Sequence, residues 1–240
     1  MAGNGPHVDL RAVVTAWLRR FAEPRRRNGA LAAVAGLGAL GFLPQLGGPG
    51  YDSALVSGLV LPGLAASVAA LEMSAERPAP SAAVARGAAI GTVYGLIGFL
   101  VMLLHGARVG FCDPSEGIWI FVLGPGFGAA LGGVWGALVG LLAGRLVEGR
   151  KPWLRRTAAI GLALLGPVSG IVVSLVRFVT SPMVFAFDPF FGVFSGPLYD
   201  TVVNVVDRLE TYRAGTLATF ATRVVDEVVQ VAFVPPGGEG

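Results

Sequence analysis

Apolar residues in this chain come in long unbroken blocks, not in strict alternation with polar ones. Residues 29–46, 54–73, 88–104, 118–142 and 157–179 form five such blocks. A helix rises about 1.5 Å per residue and a hydrocarbon core is about 30 Å thick, so roughly 20 apolar residues make one crossing. The blocks therefore predict five membrane-spanning helices. Ahead of them, residues 8–23 set Leu10, Val13, Val14, Trp17 and Phe21 on one face at helical spacing, with Asp9, Arg11, Arg19, Arg20 and Glu23 elsewhere. That pattern predicts a helix lying in the membrane interface and ending at Pro24. Arg25, Arg26 and Arg27 then precede the first block in the manner of a signal peptide. No serine or threonine precedes the paired arginines, no small-residue cleavage site follows, and more blocks of the same kind come after, so a retained span is the expectation.

The pattern changes after residue 179. Residues 180–199 carry Phe185, Phe187, Phe190, Phe191, Phe194 and Tyr199, but also Pro182, Asp188, Pro189, Gly192, Gly196 and Pro197. A straight helix cannot run through those breaks. Irregular backbone at membrane depth is tolerated only where protein or a wet cavity satisfies it. A re-entrant or interfacial segment is expected, with a kinked sixth span as the rival. Residues 200–229 alternate Val202, Val203, Val206, Leu209, Leu217, Phe220, Val224, Val225 and Val228 with charged positions, an amphipathic helix too charged to cross. Residues 235–240 read as a flexible end. The fold class is all-α, a polytopic integral membrane bundle. Its parts are a basic interfacial anchor over 1–28, a five-helix domain over 29–180, and a broken segment, amphipathic helix and tail over 181–240.

Composition agrees. Hydrophobic residues make up 54% of the 240 and charged residues only 14%, and the mean hydropathy is +0.69. A soluble globule carries about 25% charge. The net charge is +3, and Lys151 is the one lysine among 18 basic residues. That arginine bias, with abundant Ala, Gly and Val, suggests a GC-rich coding sequence and a bacterial cytoplasmic membrane. Basic residues concentrate before the first block and again at Arg145, Arg150, Lys151, Arg155 and Arg156, whereas residues 47–53 have none. Short basic loops stay in the cytoplasm. The N terminus is expected there, with residues 47–53, 105–117 and everything after 179 outside. The basic residues form no single clustered face, so nucleic acid is not an expected partner.

Glycine supplies the most specific signal. Gly128, Gly132, Gly136, Gly140 and Gly144 recur every fourth residue, Gly87, Gly91 and Gly95 form a shorter ladder, and Gly166 and Gly170 add one step. In lipid, helices associate through close van der Waals contact, which stripes of small residues permit. The ladders are expected to pack the protein's own helices, with a homo-oligomeric seam or a pore wall as competing uses. Pro62, the 124–126 Gly-Pro-Gly and Pro167 interrupt three blocks. Paired interruptions build substrate sites in transporters, but no internal repeat accompanies these, so ordinary kinking is expected.

Chemistry-bearing residues are sparse. Between residues 29 and 104 the charged positions are Asp52, Glu72, Glu76, Arg77 and Arg86, all read as lying at span ends or in loops. Arg177 and Asp188 are the candidate functional polar residues, either as an ion pair or as a snorkelling arginine and a turn-capping aspartate. His105, Arg108, Asp113 and Glu116 fall in one external loop, where residues 113–116 read as a helix cap. Cys112 is the single cysteine, and His7 and His105 are the two histidines, so neither metal nor cofactor is expected. Ser169, Ser174 and Ser195 are present with His105, but no G-x-S-x-G or HExxH arrangement joins them. No enzyme is expected. The expected role is a membrane-embedded scaffold or anchor subunit that presents its outer C-terminal segment to a protein partner; the alternative is a small-solute or ion transporter or channel using the kinked glycine-rich helices.

Overall fold

The computed structural model describes residues 23–43, 46–48, 50–110, 114–180 and 185–195. The interfacial helix predicted over residues 8–23, apart from its last residue, lies outside them, as does the amphipathic segment 200–229. The described chain folds as α1 (Pro24–Leu40), α2 (Tyr51–Glu76), α3 (Pro80–Val109), α4 (Pro114–Phe121), a π-helical turn (Val122–Gly126), α5 (Phe127–Leu146), α6 (Pro152–Thr180) and a hairpin of β1 (Phe185–Asp188) and β2 (Gly192–Ser195). Prolines 24, 80, 114 and 152 each open a helix. A first-turn position needs no N–H partner and suits the fixed proline φ. Pro24, expected to end a helix, thus begins one, and the arginine triplet lies in its first turns. The chain leaves α1 at Gly41, short of the predicted limit at residue 46.

Among the described residues, four helices are long and apolar enough to cross a membrane: α2, α3, the run Gly117–Leu146 and Pro152–Arg177. The chain therefore reads as a multi-pass membrane protein. At 17 residues, α1 is below that length. The apolar blocks mark only the middles of α2 and α3. These helices continue past them through charged residues, Glu76 at the end of α2 and Arg86 and Arg108 on α3, so His105 sits on α3 and not in a loop.

At the centre, α2 and α5 lie side by side; α3 covers one flank of the pair, α6 the other, and α1 fits against α2 and α3. One buried cluster joins α1, α2, α3 and α5 through Leu37, Leu61, Met73, Tyr94, Met102 and Leu141. A second joins α2, α5 and α6 through Ala66, Ala70, Val139, Ala143, Ala159 and Ala163. Outward, α6 exposes Leu165, Val168, Val172, Val176 and Val179. In water that stripe would be a liability, whereas in a bilayer it meets acyl chains. The bundle has a charged end, where α2 and α5 finish and α1, α3 and α6 begin, and an opposite end carrying the hairpin.

Among the described residues, the segment 185–195 is the one β element. Its strands pair antiparallel with Phe185 opposite Ser195 and Asp188 opposite Gly192. Gly192 adopts φ +103°, a conformation a side chain would resist. The backbone that cannot continue as a helix satisfies itself as a hairpin, set against α6, α2 and the π turn.

Candidate functional site

Two stripes of α5 meet backbone, not side chains. Along one, a Cβ on Gly132 would overlap the Pro62 carbonyl, on Gly136 the Ala66 backbone, on Gly140 the Ala70 backbone, and on Gly144 it would lie 3.0 Å from the Ser74 carbonyl. Gly128, at the head of this ladder, faces the carbonyl of Phe190 in the hairpin. Along the other stripe, Gly133 sits on Gly87 of α3, Ala129 on Gly91, and Gly126 within 3.3 Å of where a Gly95 Cβ would stand. So α5 is held on two sides at backbone contact. The step Gly166 and Gly170 works differently: Gly166 makes room for the Trp135 indole and Gly170 for the Asp188 carboxylate.

The break at Pro167 is closed by protein. Pro167 cannot donate to the carbonyl four residues earlier, Ala163. The Trp135 indole N–H donates to that carbonyl at 3.1 Å, tying α5 to α6. Pro125 lies in the π turn, where the helix takes an extra residue per turn and continues into α5. Pro62 presents its own carbonyl to Gly132.

At the charged end, Arg26 of α1 and Glu72 of α2 form a two-pronged ion pair, with Nε to Oε2 at 2.7 Å and Nη2 bonded to Oε1. They are 5% and 3% exposed. Glu72, expected at a solvent-facing span end, is therefore sealed inside the bundle. The Tyr94 hydroxyl donates to the Arg26 carbonyl at 2.9 Å, and Gly29 leaves room for the Tyr94 ring. Sequence reading missed this triad. Its one signal was that Glu72 is the single charged residue of the apolar block 54–73, which the three arginines precede. Nearby, Arg77 ends α2 in a left-handed conformation and donates to the Gly144 carbonyl at 2.7 Å and to Glu148. That bond from Arg77, and the charge behind it, hold the Glu148 carboxyl below its ordinary pKa. Arg86 pairs with Glu76 at 2.6 Å.

At the other end, Asp188 is 0% exposed. Its Oδ1 accepts from the backbone N–H of Phe190 at 2.7 Å and of Phe191 at 3.0 Å, and its Oδ2 takes the Ser174 hydroxyl at 3.4 Å. Asp188 thus caps the hairpin turn while seated in the niche left by Gly170. Phe190 and Phe191 are buried beside it, and the Phe191 carbonyl lies 2.8 Å from where a Gly58 Cβ would stand. Arg177 lies in the exposed last turn of α6. Asp188→Ala should leave two buried N–H groups unsatisfied, costing about 1–3 kcal/mol. Hydrogen exchange over residues 185–195 should then rise with the bundle still folded; unchanged protection there would contradict the cap.

Near the same end, Arg108 places its guanidinium 4.5 Å over the Phe42 ring and donates to the Gly41 carbonyl at 2.8 Å. His105 meets the Phe42 ring edge-on, with centroids 5.2 Å apart. These contacts cap the C-terminus of α1 with a cation, which its dipole favours. Asp113 lies outside the described residues, so the cap expected from it does too. The buried polar groups here hold one element against another: a fork, a turn cap, a helix cap. Among the described residues, the Ser57 hydroxyl alone is a buried side-chain polar atom with no partner. No known protein family, curated protein or solved structure matches this chain.

Proposed function

We propose that this chain is a scaffold or anchor subunit of a bacterial cytoplasmic membrane, holding its segment 181–240 at the outer surface for a protein partner. The observation that carries the reading is the seat of the hairpin. Its turn carbonyls lie against Gly58 and Gly128, and its aspartate lies against Gly170. Three helices thus give up side chains at the positions that receive it, which suits a bundle shaped to fix this segment in place. In this reading the charged end is cytoplasmic, by the excess of arginine there, and α1 forms a short fifth crossing anchored by Arg26. The polar residues act as fasteners, not as catalysts.

Transport is the competing reading, and it would use the breaks at Pro62, Pro125 and Pro167. The carbonyl freed by Pro167, that of Ala163, takes the Trp135 N–H. A break occupied by protein favours the scaffold, since substrate sites in carriers need freed backbone groups that point at a ligand. Two measurements test the proposal together. A reporter fused after residue 240 should be active in the periplasm, and liposomes holding the purified protein should stay tight to small solutes and ions. Cytoplasmic reporter activity would reverse the orientation, and protein-dependent flux would replace the scaffold by a permeation pathway.

A further inference from the structure

The corner between α5 and α6 collects cations that the fold does not use. Arg150, Lys151 and Arg156 are exposed and Arg155 is half-buried. Among the described residues, none of the four takes part in an ion pair; the pairs found there join Arg26 to Glu72, Arg77 to Glu148 and Arg86 to Glu76. Glu148, the carboxylate of this corner, is already engaged by Arg77 and offsets that charge instead. The start of α6 adds the positive end of its dipole. Apolar surface lies at the same level: Trp153 is 61% and Leu146 69% exposed, each where a crossing helix begins or ends. Tryptophan belongs at the depth of lipid headgroups.

We propose that this corner, Arg150 to Arg156 with Trp153 and Leu146, is a binding surface for anionic phospholipid, the cations taking the headgroup phosphate and the apolar side chains the upper acyl chain. Charge complementarity names the headgroup. The apolar residues beside the cations favour a lipid over a soluble acidic protein, which would have no use for a tryptophan at membrane depth. The proposal needs only that this end of the bundle lies at a membrane surface, and holds whichever side of the bilayer that is.

Native mass spectrometry of the full chain in neutral detergent provides the test, with dioleoylphosphatidylglycerol and dioleoylphosphatidylcholine as probes. Each basic residue near an anionic surface is worth roughly a fivefold gain in binding. The wild type should hold the glycerol lipid at least about tenfold better than the choline lipid. Replacing Arg150, Lys151, Arg155 and Arg156 together by glutamine should bring the two to parity, chiefly by lowering retention of the phosphatidylglycerol. Should that variant fail to fold, Arg156→Gln alone and a salt titration of the wild type decide, because the preference of an exposed charge cluster must shrink as ionic strength rises. Equal retention of both lipids by the wild type, or a preference indifferent to the substitutions and to salt, would overturn the proposal.

Discussion

Gly136→Leu should destabilise the bundle by at least about 3 kcal/mol, the upper end of what overpacking costs. The reason is what stands opposite. A Cβ at Gly136 would come 2.5 Å from the Ala66 Cα and overlap the Ala66 carbonyl. A crowding side chain can change rotamer, but a helix backbone can relieve the clash only by moving a whole helix. Separating α5 from α2 there would also open the contacts at Gly132 and Gly140, since a rigid rod pivots as a unit. Gly161 on α6 supplies the contrast, because nothing lies within 4 Å of its would-be Cβ. Gly161→Ala should be neutral or stabilising, up to about 1 kcal/mol, from helix propensity alone. Gly136→Ala should go the other way. The opposite sign of two identical substitutions in two neighbouring helices, read by reversible unfolding in mixed micelles, separates backbone contact from any general effect of glycine. If Gly136→Leu unfolds like the wild type, that face does not carry the packing.

Which parts of this arrangement are readable in the sequence depends on the range of the interaction. The period of four in Gly128 to Gly144 is local, so it marks a stripe; which helix lies against it is a tertiary fact, and the same ladder also receives the hairpin at Gly128. The second stripe, through Gly126 of the π turn and Ala129 and Gly133 of α5, mixes alanine with glycine and leaves no clean ladder to notice. Helix ends were misjudged where hydropathy and helicity part company. The first turns of α1 hold three arginines yet are helical, because Pro24 starts them and Arg26 has a buried carboxylate to meet. In the segment 180–199 the breakers were legible but the hairpin was not, because its aromatics follow no clean alternation and its turn faces inward. The tip is buried only because glycines far away in sequence, at 58, 128 and 170, leave room for it. Asp188 was legible as a turn cap, yet its complete burial depends on α6. The Arg26 to Glu72 fork spans 46 residues of chain and has no local pattern at all.

That fork carries the second large effect. Arg26→Ala should cost about 3–5 kcal/mol, and Glu72→Ala a similar amount, because each leaves the other charge buried without its partner. The cost measures an orphaned ion more than the worth of the pair, and a double replacement tells the two apart. Arg26→Met with Glu72→Leu removes both charges and fills the space with apolar atoms. Buried pairs replaced in this way are often neutral or more stable, so the double variant should recover most of the loss from either single one. Tyr94→Phe should cost only about 1 kcal/mol, the net value of one hydrogen bond, since the Arg26 carbonyl remains within a helix. A strong coupling between positions 26 and 72, with a mild effect at 94, is the expected result of the unfolding cycle. Additive losses at 26 and 72 would mean that water reaches both side chains. In that case α1 would be held to the bundle by Leu37, Ala33, the Tyr94 and Arg25 hydrogen bonds and the Arg108 cap, and truncating the chain before residue 41 should leave the other helices assembled. With the fork intact the same truncation takes away both the partner of Glu72 and the packing of Ala33 and Leu37, so it should cost at least as much as Arg26→Ala, and the two experiments must agree in sign.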